Sequence, residues 1–145
     1  MKEEENRPTQ NRIVCDSRIC RVEEIQPGFL SFHFKGNHDS EIQEFKELIT
    51  QTLKKIKYQP FVAINDLSDN HGSFSNEVKK YLVNHPDLKK YKLAEAVVVN
   101  SLGVRIQLNY LIKMTKHSGM LVRAFGDYDS ALQWILKKKK ELIKH

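Results

Sequence analysis

The chain has 145 residues, 40% of them hydrophobic and 29% charged, with a formal net charge of +6; this suits one globular domain around a single core and excludes a multidomain enzyme. No apolar run approaches the roughly 20 residues that span a bilayer, and the acidic, polar start from Met1 to Gln10 lacks the basic and apolar stretches of a secretory signal. A cytoplasmic chain that is not an integral membrane protein is therefore expected, and its two cysteines are too few for a disulfide framework or a four-thiolate zinc site.

Residues 1–10 show no apolar period and are expected to form a disordered arm, with one domain over residues 11–145. Asn11 to Asp16 and Ile19 to Ile25 read as two strands around a Ser17-Arg18 turn, a register that sets Ile13 opposite Val22 and Cys15 opposite Cys20. Gln26-Pro27-Gly28-Phe29 has the residue order of a type II turn, after which Leu30, Phe32 and Phe34 alternate inward. The period then lengthens. Ile42, Phe45, Ile49, Leu53 and Ile56 form one stripe of a helix opening at Asp39 or Ser40, where Ser40 and Gln43 make a capping box.

Three short apolar runs follow, Phe61 to Asn65, Leu93 to Val99 and Leu121 to Phe125, separated by helical patterns. The helices are Ser75 to about His85, interrupted by His85-Pro86, and Gly103 to about Lys116, with Val104, Leu108, Leu111, Ile112 and Thr115 inward. The last helix takes Asp127 as N-cap and turns Tyr128, Ala131, Leu132, Ile135 and Leu142 inward, leaving Lys137 to Lys140 largely outward. The expected class is α/β: a single domain whose mixed sheet begins as an antiparallel meander and continues through βαβαβα units.

This order of elements, with AEAVVVNSLGVRIQLNYLIKM and the closing VRAFGDYDSALQWILKK, resembles the SpoIIAA-like family, also called STAS/SEC14-like, over about Ile19 to Lys138. The shared features are the Ala96-Val97-Val98-Val99 strand running into a polar turn and helix, and the Phe125 strand end followed by the helix with Ala131 and Trp134. Lys79 and Lys80 stand where many members carry an arginine, and His117-Ser118-Gly119 where many have a proline. The resemblance implies a compact noncatalytic domain, sometimes dimeric, that binds a protein partner and in some members is switched by phosphorylation of a serine at a helix start. SEC14 domains of the same architecture carry lipids. An unidentified protein partner, or a small apolar or anionic ligand, is thus expected, with no cofactor.

Ligands of open α/β sheets bind beyond the carboxyl ends of the parallel strands, which singles out the 66–75 loop, Asn100 to Gly103 and Gly126-Asp127. Ser101 and Gly103 open a helix whose free N–H groups would receive an anion, with Arg105 one turn in; a plain N-cap and a solvated arginine use the same residues. Asp66, Ser73 and Ser75 are the switch or interaction candidates, Ser75 fitting either a phosphate acceptor or an N-cap. Asp66, His71 and Ser73 share residue types with a hydrolytic triad but lie too close in sequence and lack a nucleophile elbow, so Asp66 and Asn70 read as turn residues. His33, His38 and Asp39 read as surface residues in preference to metal ligands, and the thiols of Cys15 and Cys20 as reduced and partly buried. The Lys137 to Lys140 run fits a solvated helix end, and with no interleaved aromatics nucleic acid is not expected. Dimerisation would use the edge of the meander or the flank of Trp134 and Leu136.

Overall fold

In the computed structural model the structure describes residues 11–35, 42–69, 74–115 and 121–143. The expected arm, the helix opening at Asp39 or Ser40, and His38 lie outside the described residues. Six strands form one sheet in sequence order: β1 (Arg12–Asp16), β2 (Cys20–Gln26), β3 (Phe29–Phe34), β4 (Phe61–Asp66), β5 (Lys92–Val98) and β6 (Leu121–Phe125). The first two pairings are antiparallel and the other three parallel. The helices are α1 (Ile42–Lys55), α2 (Asn76–Asn84), α3 (Pro86–Tyr91), α4 (Leu102–Thr115) and α5 (Tyr128–Leu142).

Alternation along the strands divides the core. Leu30, Phe32, Phe61, Ala63, Val97 and Val99 face one side, where Phe45, Leu48, Ile49 and Leu53 of α1, Val78 of α2 and Leu88 of α3 cover them and Leu108 of α4 packs alongside. Phe29, Val62, Ile64, Ala94, Ala96 and Val98 face the other side, beneath Ala131 and Ile135 of α5. Each large apolar side chain taken from water contributes about 1.5–3 kcal/mol, so this two-faced burial is the main stabilising force. Among the described residues, no helix is long and apolar enough to cross a membrane.

The meander departs from the expected register. A bulge between Ile13 and Cys15 lets both Val14 and Cys15 enter the core, so Cys15 pairs with Val22 and Ile13 with Glu23. Ile13 is left 47% exposed. The connection is longer than two residues because Ile19 is also drawn into the core, with Ser17 N–H donating to Cys20 O at 2.9 Å and Ser17 Oγ accepting from Cys20 N–H at 3.2 Å. Cys20 therefore pairs with Phe34 of β3 and not with Cys15. Both thiols are free and buried, and burial pushes both above their ordinary range, which keeps them protonated.

Gly28 adopts φ +84°, as the type II turn requires, and packs close to Ile143. Leu142 is 39% exposed, against expectation, because the chain leaves the helix there and turns Ile143 inward in its place. His85 ends α2 and begins α3 at once: its Nδ1 accepts from Asp87 N–H at 3.2 Å and Leu88 N–H at 3.3 Å, and Pro86 occupies the first turn, where it sacrifices no bond. Of the inward positions expected on α4, Leu108 and Ile112 are half-buried, while Val104, Leu111 and Thr115 lie outside the described side chains.

Candidate functional site

The parallel pairing brings the carboxyl ends of β4, β5 and β6 to one edge. Leu67 N–H donates to Val98 O and Val99 N–H to Phe125 O, each at 2.9 Å, tying the three exits together. Asp66 ends β4 as a turn residue: its Oδ1 accepts from Ser68 N–H at 3.0 Å and from Ser68 Oγ at 2.6 Å. Ser75 is the N-cap of α2, its Oγ accepting from Val78 N–H at 3.2 Å. Ser73, with Asn70, His71 and Gly72, lies outside the described residues.

Ser101 begins α4 through its carbonyl, which accepts from Arg105 N–H at 3.0 Å. Among the described residues, a Cβ on Gly103 would find only Ser101 Oγ, at 3.9 Å. Gly126 is different, since a Cβ on it would stand 2.9 Å from Arg105 Nη2. Arg105 thus leans across the end of β6, and glycine at 126 makes room for its guanidinium. Leu102 and Ile106, one turn apart on α4, are 71% and 62% exposed. Sequence reading placed Ser101, Gly103 and Arg105 here but overlooked the two apolar side chains beside them.

A second feature lies on the sheet face that carries α5, past the end of that helix. Arg21 pairs in register with His33, Glu23 with Ser31, and His33 with Asp66 of the next strand, so four elements contribute to one open cleft of about 260 Å³ that Tyr128 closes on one side. Its polar groups engage one another. His33 Nδ1 lies 3.3 Å from Asp66 Oδ2 and its Nε2 3.0 Å from Asp69 Oδ2. Arg21 Nε donates to Glu23 at 3.0 Å, and the Ser31 and Tyr128 hydroxyls meet at 3.0 Å. Burial pushes the Tyr128 phenol above its ordinary range, against the opposing bond from Ser31, so it stays a neutral hydroxyl. In this arrangement the imidazole nitrogens face carboxylates and the Ser31 hydroxyl faces Tyr128, which pairs no hydroxyl nucleophile with an imidazole base. Among the described residues, no group of three or more histidines, cysteines or carboxylates is placed to hold a metal ion.

The polar alternation of Ser31 and His33 between Leu30, Phe32 and Phe34 was the signal for this cleft, but its partners come from β2, β4 and α5 and are distant in sequence. Also unsignalled was Glu95, buried in β5. Its carboxylate receives Asn65 Nδ2 at 2.6 Å and Lys92 Nζ at 3.1 and 3.0 Å.

This architecture matches a solved structure. A protein from Shewanella loihica PV-4, described as an uncharacterised protein of the DUF3478 family with a SpoIIAA-like fold, superposes with a TM-score of 0.56 at 17% identity, over 83% of this chain and 98% of its own. The fold is SpoIIAA-like. At that identity the likeness extends to the architecture alone, so the use this SpoIIAA-like domain makes of its edge has to be argued from its own residues. No family model and no curated protein matches the chain.

Proposed function

We propose that this SpoIIAA-like chain is a noncatalytic binding module that acts by contact with another protein, through the first turns of α4. The observation that carries this reading is the exposure of Leu102 and Ile106 beside Arg105. Two large apolar side chains in water on adjacent helical turns cost burial free energy that a partner would recover, and an arginine next to them is a frequent anchor in protein interfaces. Two further features support it. Both sheet faces bury closely packed side chains, and the polar groups of the open cleft are engaged with one another. The alternative, a carrier of a lipid or anionic small molecule, requires an apolar cavity of several hundred Å³; among the described residues, the cleft lined by the polar side chains of Arg21, Glu23, Ser31, His33, Asp66 and Tyr128 is open and is not such a cavity.

The test is quantitative co-purification from the native host of the tagged wild-type chain and of Leu102→Asp/Ile106→Asp. Both substitutions lie on a solvated surface, so the fold, checked by circular dichroism, is expected to survive. A partner protein present with the wild type and reduced about tenfold or more with the variant supports the reading, a loss typical of interface anchors. Equal recovery with both chains contradicts it.

A further inference from the structure

The two edges of the sheet are built differently. β1 is broken by its bulge at Val14 and flanked by ion pairs, Arg12 with Glu24 at 3.2 Å and Lys35 with Asp16 at 2.7 Å. Bulges and edge charges of this kind keep a strand from recruiting another. β6 has no bulge: all five of its residues pair in unbroken parallel register with Ala94 to Val98, and among the described residues no strand pairs with its outer side.

Alternation sets Arg123 between Leu121 and Phe125 on the α5 side of β6. The Arg123 guanidinium lies 5.1 Å from the Phe125 ring, and that ring lies 5.7 Å from Trp134, over which Lys138 sits at 5.9 Å. At the end of the strand Arg105 leans over Gly126. Among the described residues, neither Arg105 nor Arg123 is paired with a carboxylate. Among the described residues, the open edge thus carries two guanidinium groups without a carboxylate partner.

We infer that β6 receives an extended acidic segment of a partner protein, which adds as a further strand and sets its carboxylates against Arg123 and Arg105. This rests on the reading of the chain as a protein-binding module and names the chemistry of its partner. Backbone pairing supplies affinity that any extended chain shares, while alternate side chains supply selection, here through charge-assisted bonds to arginine. A second copy of the chain is the obvious competitor, and Arg123 disfavours it. Arg123 is the central residue of β6, so antiparallel pairing of two such strands about their midpoint brings the two arginines face to face. The net charge of +6 adds to that repulsion. An acidic strand turns the same side chain into an attraction.

The experiment is selection of the full chain against a displayed library of random peptides about nine residues long, enough to cover one strand. Binding is followed by the fluorescence of Trp134, the single tryptophan, and by amide exchange. The expected peptides are rich in aspartate and glutamate at alternate positions, bind more weakly as salt rises, and slow exchange in Leu121 to Phe125. Arg123→Glu is expected to weaken them about tenfold or more, and Arg123→Gln, which keeps the size and removes the charge, by a smaller factor. Peptides without acidic enrichment, a footprint away from β6, or affinity unchanged in both variants would overturn the inference. If no acidic peptide emerges while Leu102→Asp/Ile106→Asp still loses its partner, the edge assignment falls and the protein-binding reading stands. If the host partner is retained by that variant, the reading itself falls.

Discussion

Thr52 lies on the inward stripe of α1, and among the described residues its Oγ1 is a buried side-chain oxygen without a hydrogen-bond partner. An unpaired buried hydroxyl keeps its desolvation cost, whereas a methyl of the same size does not. Thr52→Val is expected to raise stability by about 1 kcal/mol and the unfolding temperature by about 2–4 °C; thermal unfolding that is unchanged or lower would show that the hydroxyl is satisfied. Asp127 makes the opposite use of an oxygen, accepting from Ser130 N–H at 2.8 Å and Ser130 Oγ at 2.9 Å. These bonds, the backbone one first, hold its carboxyl below the ordinary range. A carboxyl that is more acidic in the folded chain contributes stability above its unfolded pKa of about 4, and this is lost as the pH falls through the folded value. Asp127→Asn keeps a capping oxygen and removes the ionisation, so the rise in unfolding temperature from about pH 3 to about pH 6 should be smaller than in the wild type. Equal rises in the two chains would contradict this.

Among the elements, β5 is unusual in burying a carboxylate, Glu95, between apolar residues of the strand. Glu95 and Lys92 are both largely withdrawn from water, so truncating one partner leaves the other charge buried. Lys92→Met is expected to cost about 3 kcal/mol in denaturant unfolding, and the double variant Lys92→Met/Glu95→Met to recover most of it. A single variant as stable as the wild type would mean that water reaches the pair. The elements themselves were largely legible, because periods of two and 3.6 residues along the chain show which faces are buried, and the Pro27-Gly28 turn and the caps at Ser75 and Asp127 carry their own chemistry. The first hairpin was not. Its register depended on Val14, Cys15 and Ile19 all reaching the core, which a bulge and a longer connection allow and a simple alternation does not. His33 was legible as a strand residue facing away from Leu30 and Phe32. Its position between Asp66 and Asp69 was not, since it arises from the parallel pairing of β3 with β4. Glu95 was hidden in part in the same way: Lys92 lies three residues before it on β5, but Asn65 reaches it only once β4 lies beside β5.

At the scale of the whole molecule, α1 to α4 cover one face of the sheet and α5 the other, and the described surface keeps its least compensated features around α4 and β6. Leu102, Ile106, Arg105 and Arg123 gather there, whereas the polar cleft on the far part of the sheet is internally paired. A fold shared with a protein only 17% identical carries no chemistry with it, so the distribution of exposed apolar and unpaired charged groups is the part of the structure that bears on function. Native mass spectrometry of the chain purified from its own host tests this most directly, because it reports mass and stoichiometry without a ligand chosen in advance. The account predicts a species whose added mass is that of a partner protein. A chain carrying a small molecule, with no protein partner, would contradict it.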